Sequence, residues 1–305
     1  VRVRYLAVLL VLGAIWGASF LFIKVGVAEI PPASLVAVRL VVGAVLLLVV
    51  LYASGARLPA SRRGWIDLFV LGALGVVAPF LLITWAEQSI PSGLTAILNA
   101  TTPLFTALLT YVWTRAERLS GWRLLGVGLG FAGVVLAVGL DNLDLSSSGT
   151  QGKLAVLLAA VCYAITAIYA RQAFRGAPPL VPAAGQIFAG AVLIIPIALV
   201  IDGAPHAVPS FWPLAAVLAL AVFGTAAAYI MFYWLLERLG ATRTSMVTYL
   251  TPPVALVYGA LLLNEPIAAN TLIGLGLVIV GIALANGVIR PRRAGARFAA
   301  RERNA

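Results

Sequence analysis

Five polar side chains interrupt an apolar stretch of this 305-residue chain, and their spacing is helical. Thr95, Asn99, Thr102, Thr106 and Thr110 follow one another at intervals of three or four, so on a helix they share one face. Pro103 sits beside the middle of that face and removes a backbone donor where the helix should be continuous. The set recurs: 149 positions later stand Thr244, Thr248, Thr251 and Pro252, followed by Pro253. Threonine alone commonly bonds its own preceding carbonyl and needs no cavity. Asn99 cannot satisfy a whole amide that way, and a lipid-facing amide is costly. The duplicated stripe therefore reads as two walls of one polar cavity. Asn99, Thr102, Thr248 and Thr251 are candidate solute-binding residues, and Pro103 and Pro252 candidate hinges.

Aromatic residues accompany the stripes. Trp16, Ser19 and Phe20 share a face in the first apolar segment, Phe80 follows Pro79 in the third, and Tyr163 and Tyr229 fall in the sixth and eighth. Rings at helical spacing pack by default, but a buried phenol needs a partner, so the two tyrosines stand out. Lys24, Arg39 and Glu87 are electrostatic or gating candidates. A cation inside an apolar segment is rarely idle, although Lys24 has the option of reaching the interface. Glu87, at the outer end of the third segment, is placed to pair with either. No acid falls at the middle of a segment, so any solute movement through such a cavity is expected to run downhill without a carboxylate proton relay.

Catalytic chemistry lacks its parts. His206 is the only histidine and Cys162 the only cysteine, which removes zinc motifs, Ser-His triads and disulfides. Asp141 and Asp144 form a D-x-x-D with no second acidic cluster beside it. No catalytic residue, metal or cofactor is expected, and an intramembrane enzyme is a remote alternative.

The elements that must position these side chains are membrane helices. The chain is 62% hydrophobic and 10% charged, against about 25% charged in soluble domains. Ten apolar segments emerge at about 5–28, 34–53, 65–88, 92–114, 121–140, 153–173, 180–201, 211–238, 242–262 and 269–289. Of the 21 basic residues, 18 fall in the N-tail, the even-numbered loops and the C-tail. The positive-inside rule then puts both termini in the cytoplasm. The net charge of +11 thus reports topology, and no nucleic-acid partner is expected. Pro31-Pro32, Arg39 and Gly43 match Pro178-Pro179, Gln186 and Gly190, and Glu117 with Gly126 and Gly133 matches Glu265 with Gly274 and Gly281. Five helices per unit is odd, so the units must lie oppositely in the bilayer. The expected architecture is all-α: two inverted five-helix repeats, 1–144 and 145–289, around a central cavity, with 290–305 as a basic cytoplasmic tail.

Trp16-Gly17-Ala18-Ser19-Phe20 with Lys24, Pro31 with Arg39, Thr102-Pro103 ahead of Glu117, and the Gly126–Gly133 run resemble the EamA-type pattern of the drug/metabolite transporter superfamily. So do Thr251-Pro252, Glu265-Pro266 and the glycines of the last segment. The resemblance covers about residues 5–289. It implies ten helices, a cavity lined by the first to fourth and sixth to ninth, and the fifth and tenth outside as supports. It also implies export of metabolites, amino acids including aromatic ones foremost, across a bacterial inner membrane. Ala164 departs from the pattern, standing where a tryptophan would match Trp16. An efflux carrier for drugs or other metabolites is the alternative; a cationic drug would want an acidic cavity, whereas Lys24 and Arg39 are basic.

Overall fold

A computed structural model describes residues 3–114, 121–139, 146–204 and 208–288, and all regular structure among them is helical. Glu117, Asp141, Asp144, His206 and the tail 290–305 lie outside the described residues. Seven helical spans are long and apolar enough to cross a bilayer: Val3–Gly26, Pro32–Ala53, Arg62–Ala86, Ser92–Val112, Ser148–Ala173, Leu180–Ile201 and Phe211–Leu239. Three shorter apolar helices, Trp122–Val138, Val247–Leu263 and Ala269–Ala285, accompany them. Helices are the element that satisfies every backbone group internally where no water is available. We label α1 (Val3–Gly26), α2 (Pro32–Ala53), α3 (Arg62–Gly72), α4 (Ala78–Ala86), α5 (Ser92–Asn99), α6 (Thr102–Thr114), α7 (Trp122–Val138) and α8 (Ser148–Ala173). There follow α9 (Leu180–Ile201), α10 (Phe211–Ala219), α11 (Ala228–Leu239), α12 (Ala241–Thr244), α13 (Val247–Leu263) and α14 (Ala269–Ala285).

Local rules set several boundaries. Ser61 and Ser147 cap α3 and α8, their side chains accepting from the N–H groups of Gly64 and Thr150. Asn264 ends α13 in the left-handed conformation at φ 54°, which asparagine tolerates. Five features depart from the sequence reading. The fourth apolar segment is two helices, broken at Ala100–Thr101, and Pro103 lies in the first turn of α6, where its missing donor costs nothing. Pro252 and Pro253 sit inside the unbroken α13, so the two proline sites are not equivalent. The third and eighth segments each contain a π-helical stretch, Ala73–Val77 and Leu220–Ala227. Lys153, expected in a loop, lies inside α8, and the last helix stops at Ala285 rather than near 289.

Helix pairing crosses between the two halves of the chain. α7 packs on α14, α2 on α9, α1 on α13, and α4 on α8, with α3 against α9 and α2 against the second π stretch. The α7–α14 contact is made by glycines. A Cβ on Gly126 would sit 2.5 Å from the Ala285 nitrogen, and one on Gly133 2.8 Å from the Gly274 carbonyl oxygen. Absent side chains let the backbones touch, which is how membrane helices gain van der Waals energy without a hydrophobic drive.

At the arginine-poor end, opposite Arg57, Arg62, Arg171 and Arg238, three carboxylates each join one half to the other. Asp202 accepts from the Ser34 N–H at 2.6 Å and its hydroxyl at 2.9 Å, binding the end of α9 to the first turn of α2. Glu29 accepts from the Ser210 N–H at 2.7 Å and hydroxyl at 2.6 Å, binding the turn after α1 to the start of α10. Glu265 accepts from the Ser92 N–H at 2.8 Å, its hydroxyl at 2.9 Å and the Gly93 N–H at 3.3 Å, at the start of α5. Each acid sits on the positive end of a helix dipole and takes up otherwise orphaned N–H groups. Packing is dense beneath them, with Ile23, Leu35, Ile83, Ile90, Val217 and Leu220 all buried. Towards the arginine-rich end Met231–Trp234 and 105–109 are only half-buried. The arginine-poor end is the more tightly packed of the two.

Two outcomes follow from this packing. Gly133→Leu should remove the folded protein from detergent extracts judged by size-exclusion profile, since overpacking costs about 1–3 kcal/mol or more. Gly128→Ala and Gly276→Ala, whose Cβ atoms would meet nothing within 4 Å, should leave the profile unchanged. In a Cys162→Ala background, a cysteine at the buried Ile90 should react slowly with maleimide, and Glu265→Gln should speed it about tenfold through loss of charge-assisted bonds. Ser210 holds the Glu29 carboxyl below its usual 4.5 by donating from side chain and backbone. That clasp contributes fully above the ordinary value and is lost as pH falls through the lowered one. Labelling at Ile90→Cys, as a ratio to that of a free thiol at the same pH, should therefore stay low through neutral pH and rise only under strong acid, whereas Glu29→Gln should show the raised ratio at neutral pH.

Candidate functional site

The interior is organised on Arg39. Its side chain is only 5% exposed, and its Nε donates to Thr225 Oγ1 at 2.9 Å. Thr225 lies in the π stretch Leu220–Ala227, whose wider turn brings the Leu220 carbonyl five residues back within 3.3 Å of the same hydroxyl. The hydroxyl proton goes to Leu220 and the oxygen lone pair to Arg39. Gly43, one turn beyond Arg39 on α2, admits the Thr225 methyl: a Cβ there would stand 2.9 Å from it. The guanidinium lies over the Phe80 ring, 3.6 Å from its centroid, a cation–π contact. Tyr163, Tyr229 and Glu87 are within electrostatic reach. The other guanidinium N–H groups meet no acceptor among the described residues, and neither tyrosine hydroxyl bonds to protein there.

Along α4 the polar groups form a stripe. Phe80, Thr84 and Glu87 stand at i, i+4 and i+7, one face of a helix. Thr84 and Glu87 are fully buried, and the Thr84 hydroxyl and both Glu87 carboxylate oxygens have no hydrogen-bond partner. The sequence placed Glu87 at an accessible rim, paired with a cation; it is neither exposed nor paired. Lys24 does not reach the interface: its Nζ donates to the main-chain oxygens of Glu87 and Ile90, capping the end of α4. Glu265, also near Glu87, is occupied by Ser92 and Gly93.

The other predicted residues divide. Asn99 is half-buried with Oδ1 shielded and unpartnered, the behaviour expected of a site amide. The threonines follow the plainer course: Thr102 Oγ1 bonds the Asn99 carbonyl, Thr248 that of Ser245 and Thr251 that of Val247, at 2.7–3.2 Å. Ser19 does the same to Ile15. Each keeps only acceptor capacity. Phe20 is buried in a cluster with Ile23, Leu35, Ile83 and Ala96. Trp16 stacks on Phe232 at 5.5 Å in another cluster, with Leu12 and Leu235. The structure thus brings Arg39, Phe80, Tyr163 and Tyr229 together with Glu87 further along α4, and a run of rings from Trp16 through Phe232 and Tyr233 leads to Tyr229. Thr84 accompanies Phe80 on the third segment in sequence as in structure, whereas Thr225 carries no sequence signal beyond a hydroxyl in an apolar run. Two shallow clefts, one along Arg62, Trp65 and Leu193 and one along Val11, Phe22 and Tyr258, contain none of these residues.

Comparison with known proteins identifies the family. The model of the EamA-like transporter family matches twice, at residues 4–139 and 150–287. The uncharacterized transporter YoaV of Bacillus subtilis is 26% identical over 271 residues, 88% of this chain and 91% of its own. The uncharacterized inner membrane transporter YedA of Escherichia coli K12 is 28% identical, over 88% of this chain and 86% of its own. An uncharacterized transporter of Synechocystis is 30% identical, over 89% and 86%. One solved crystal structure superimposes over 94% of this chain and 98% of its own with a TM-score of 0.67 at 19% identity, a shared fold. The chain belongs to the EamA-like transporter family of the drug/metabolite transporter superfamily, and is a multi-pass membrane transporter.

Proposed function

We propose that the protein exports small metabolites, amino acids foremost, from the cytoplasm across the inner membrane. Two inverted repeats, 1–144 and 145–289, alternate access to the interior around Arg39, and both termini face the cytoplasm. The observation that carries the cargo is the buried Arg39 guanidinium, ringed by Phe80, Tyr163 and Tyr229, with N–H groups unused. A guanidinium prefers to spend such donors on a carboxylate, and aromatic walls favour an apolar side chain.

The repeat is supported by the pairing. Exchanging first with sixth, second with seventh, third with eighth, fourth with ninth and fifth with tenth segments maps the α1–α13 pair onto α8–α6, and leaves α2–α9 and α7–α14 in place. It also maps the two π stretches onto each other, and Gln186, the counterpart of Arg39, lies by Gly75 in the first. The double match of the family model points the same way. Tighter packing at the arginine-poor end supports the arginine-rich end, read as cytoplasmic, as the side from which the interior opens. The buried carboxylate of Glu87 favours a second reading, efflux of amines.

Liposomes loaded with each of the twenty amino acids should take up the labelled form of at least one by exchange and return it chemically unchanged. Asn99→Leu should abolish exchange at normal abundance. If none of the twenty exchanges while an amine does, the second reading replaces the first. In whole cells with the Cys162→Ala background, a cysteine at Ser147 should react with an impermeant maleimide and one at Arg62 should not; the reverse would invert the topology.

A further inference from the structure

Four ionisable side chains lie within electrostatic reach of one another about the end of α4: Lys24, Arg39, Glu87 and Glu265, with Arg39 lying back at the level of Phe80. Two are committed. Lys24 is held by the Glu87 and Ile90 carbonyls, and Glu265 by Ser92 and Gly93. Two are not. Arg39 uses only Nε, and both oxygens of Glu87 are buried without a partner. Opposite charges buried within reach of each other would ordinarily pair, because an uncompensated buried ion is costly. These two are held apart by their elements: the guanidinium is pinned over Phe80 by Thr225, and Glu87 sits seven residues along α4, roughly 10 Å of helix rise. The unpartnered Thr84 hydroxyl lies between them on the same face.

We propose that Arg39 and Glu87 are the two ends of a zwitterion clamp, in which Arg39 takes the carboxylate and Glu87 the ammonium of an α-amino acid. The proposal rests on the amino-acid reading above and names the recognition chemistry that reading lacks. Arg39 offers a bidentate donor pair and Glu87 an acceptor pair, so the two ends of the solute complete both charges at once. Thr84 supplies a further hydroxyl midway, and Phe80 and Tyr163 flank the side chain. Glu87 is shut from water, so the clamp assembles around the solute as neighbouring side chains yield, rather than receiving it preformed. Such closure couples correct cargo to the conformational change. An amine satisfies Glu87 and leaves Arg39 bare; a simple acid does the reverse.

The test uses the full chain in liposomes with matched triplets: phenylalanine, phenethylamine and 3-phenylpropanoate, and leucine, isopentylamine and 4-methylpentanoate. The wild type should exchange each amino acid about ten-thousandfold faster than its amine or its acid, the discrimination of a site whose buried polar group is left unpaired. Glu87→Gln should erase the preference over the acid and keep that over the amine. Arg39→Gln should do the opposite, and Arg39→Lys should restore part of it. This mirror pattern is one that general damage to folding cannot produce. If a variant fails to fold, the wild-type comparison within each triplet still decides. Equal exchange of all three members would overturn the clamp and leave an amino-acid exporter; exchange of amines or acids with no amino acid would overturn the exporter reading and the clamp with it.

Discussion

The bond from Arg39 Nε to Thr225 Oγ1 is the interaction on which the interior depends. A guanidinium in an apolar interior is tolerated only when its environment holds it. Thr225 can accept because its own proton is spent on the Leu220 carbonyl, and that carbonyl is in range because the backbone there runs as a π helix. The π turn has room because Gly43 presents no side chain to it. Glycine, irregular turn, hydroxyl and cation therefore form one chain of causes from α2 to the eighth segment. Replacing any of them would leave the charge without its anchor above Phe80.

The ends of the molecule are built on different physics. At the arginine-poor end, carboxylates reach across to the N-termini of α2, α5 and α10, so each closure satisfies backbone donors and a helix dipole together. Such bonds exchange readily for water, unlike interdigitated side chains, because every partner is polar and near the surface. The α7–α14 contact is the opposite case: backbone against backbone through glycines, with nothing to hydrate. A transporter needs both, one contact that never opens and one that opens without unfolding a helix.

Much of this was legible in the residues. Arg39 and Asn99 declared themselves as polar groups that an apolar segment cannot absorb, and Gly126 and Gly133 as a close-packing face; each is so in the structure. The threonine stripes misled, because spacing shows which face a hydroxyl is on but not that the preceding carbonyl consumes it. The prolines misled for a related reason. Pro103 and Pro252 look alike in sequence, yet a helix restarts at one and runs through the other, since the outcome depends on whether neighbouring packing holds the helix together. The π stretches have no residue signature at all. Nor do the serine clasps, whose partners are more than 160 positions apart.

Glu87 shows how depth differs from burial. Counting along the third segment puts it at the end, where a carboxylate would reach water; tertiary packing from Lys24, Ile90 and the clasped loops above it closes that route. The energetic consequence is asymmetric. An acid at an open rim is free to choose a counterion, whereas one enclosed beside an occupied lysine and an occupied glutamate cannot. Its oxygens must be met from inside, by whatever the interior admits, and Arg39 carries unused donors under the same roof. Unmet acceptors and unmet donors, fixed on different helices, are complementary to a molecule carrying both an ammonium and a carboxylate. That selectivity needs no further residue, because the cost of leaving either end unmet already discriminates.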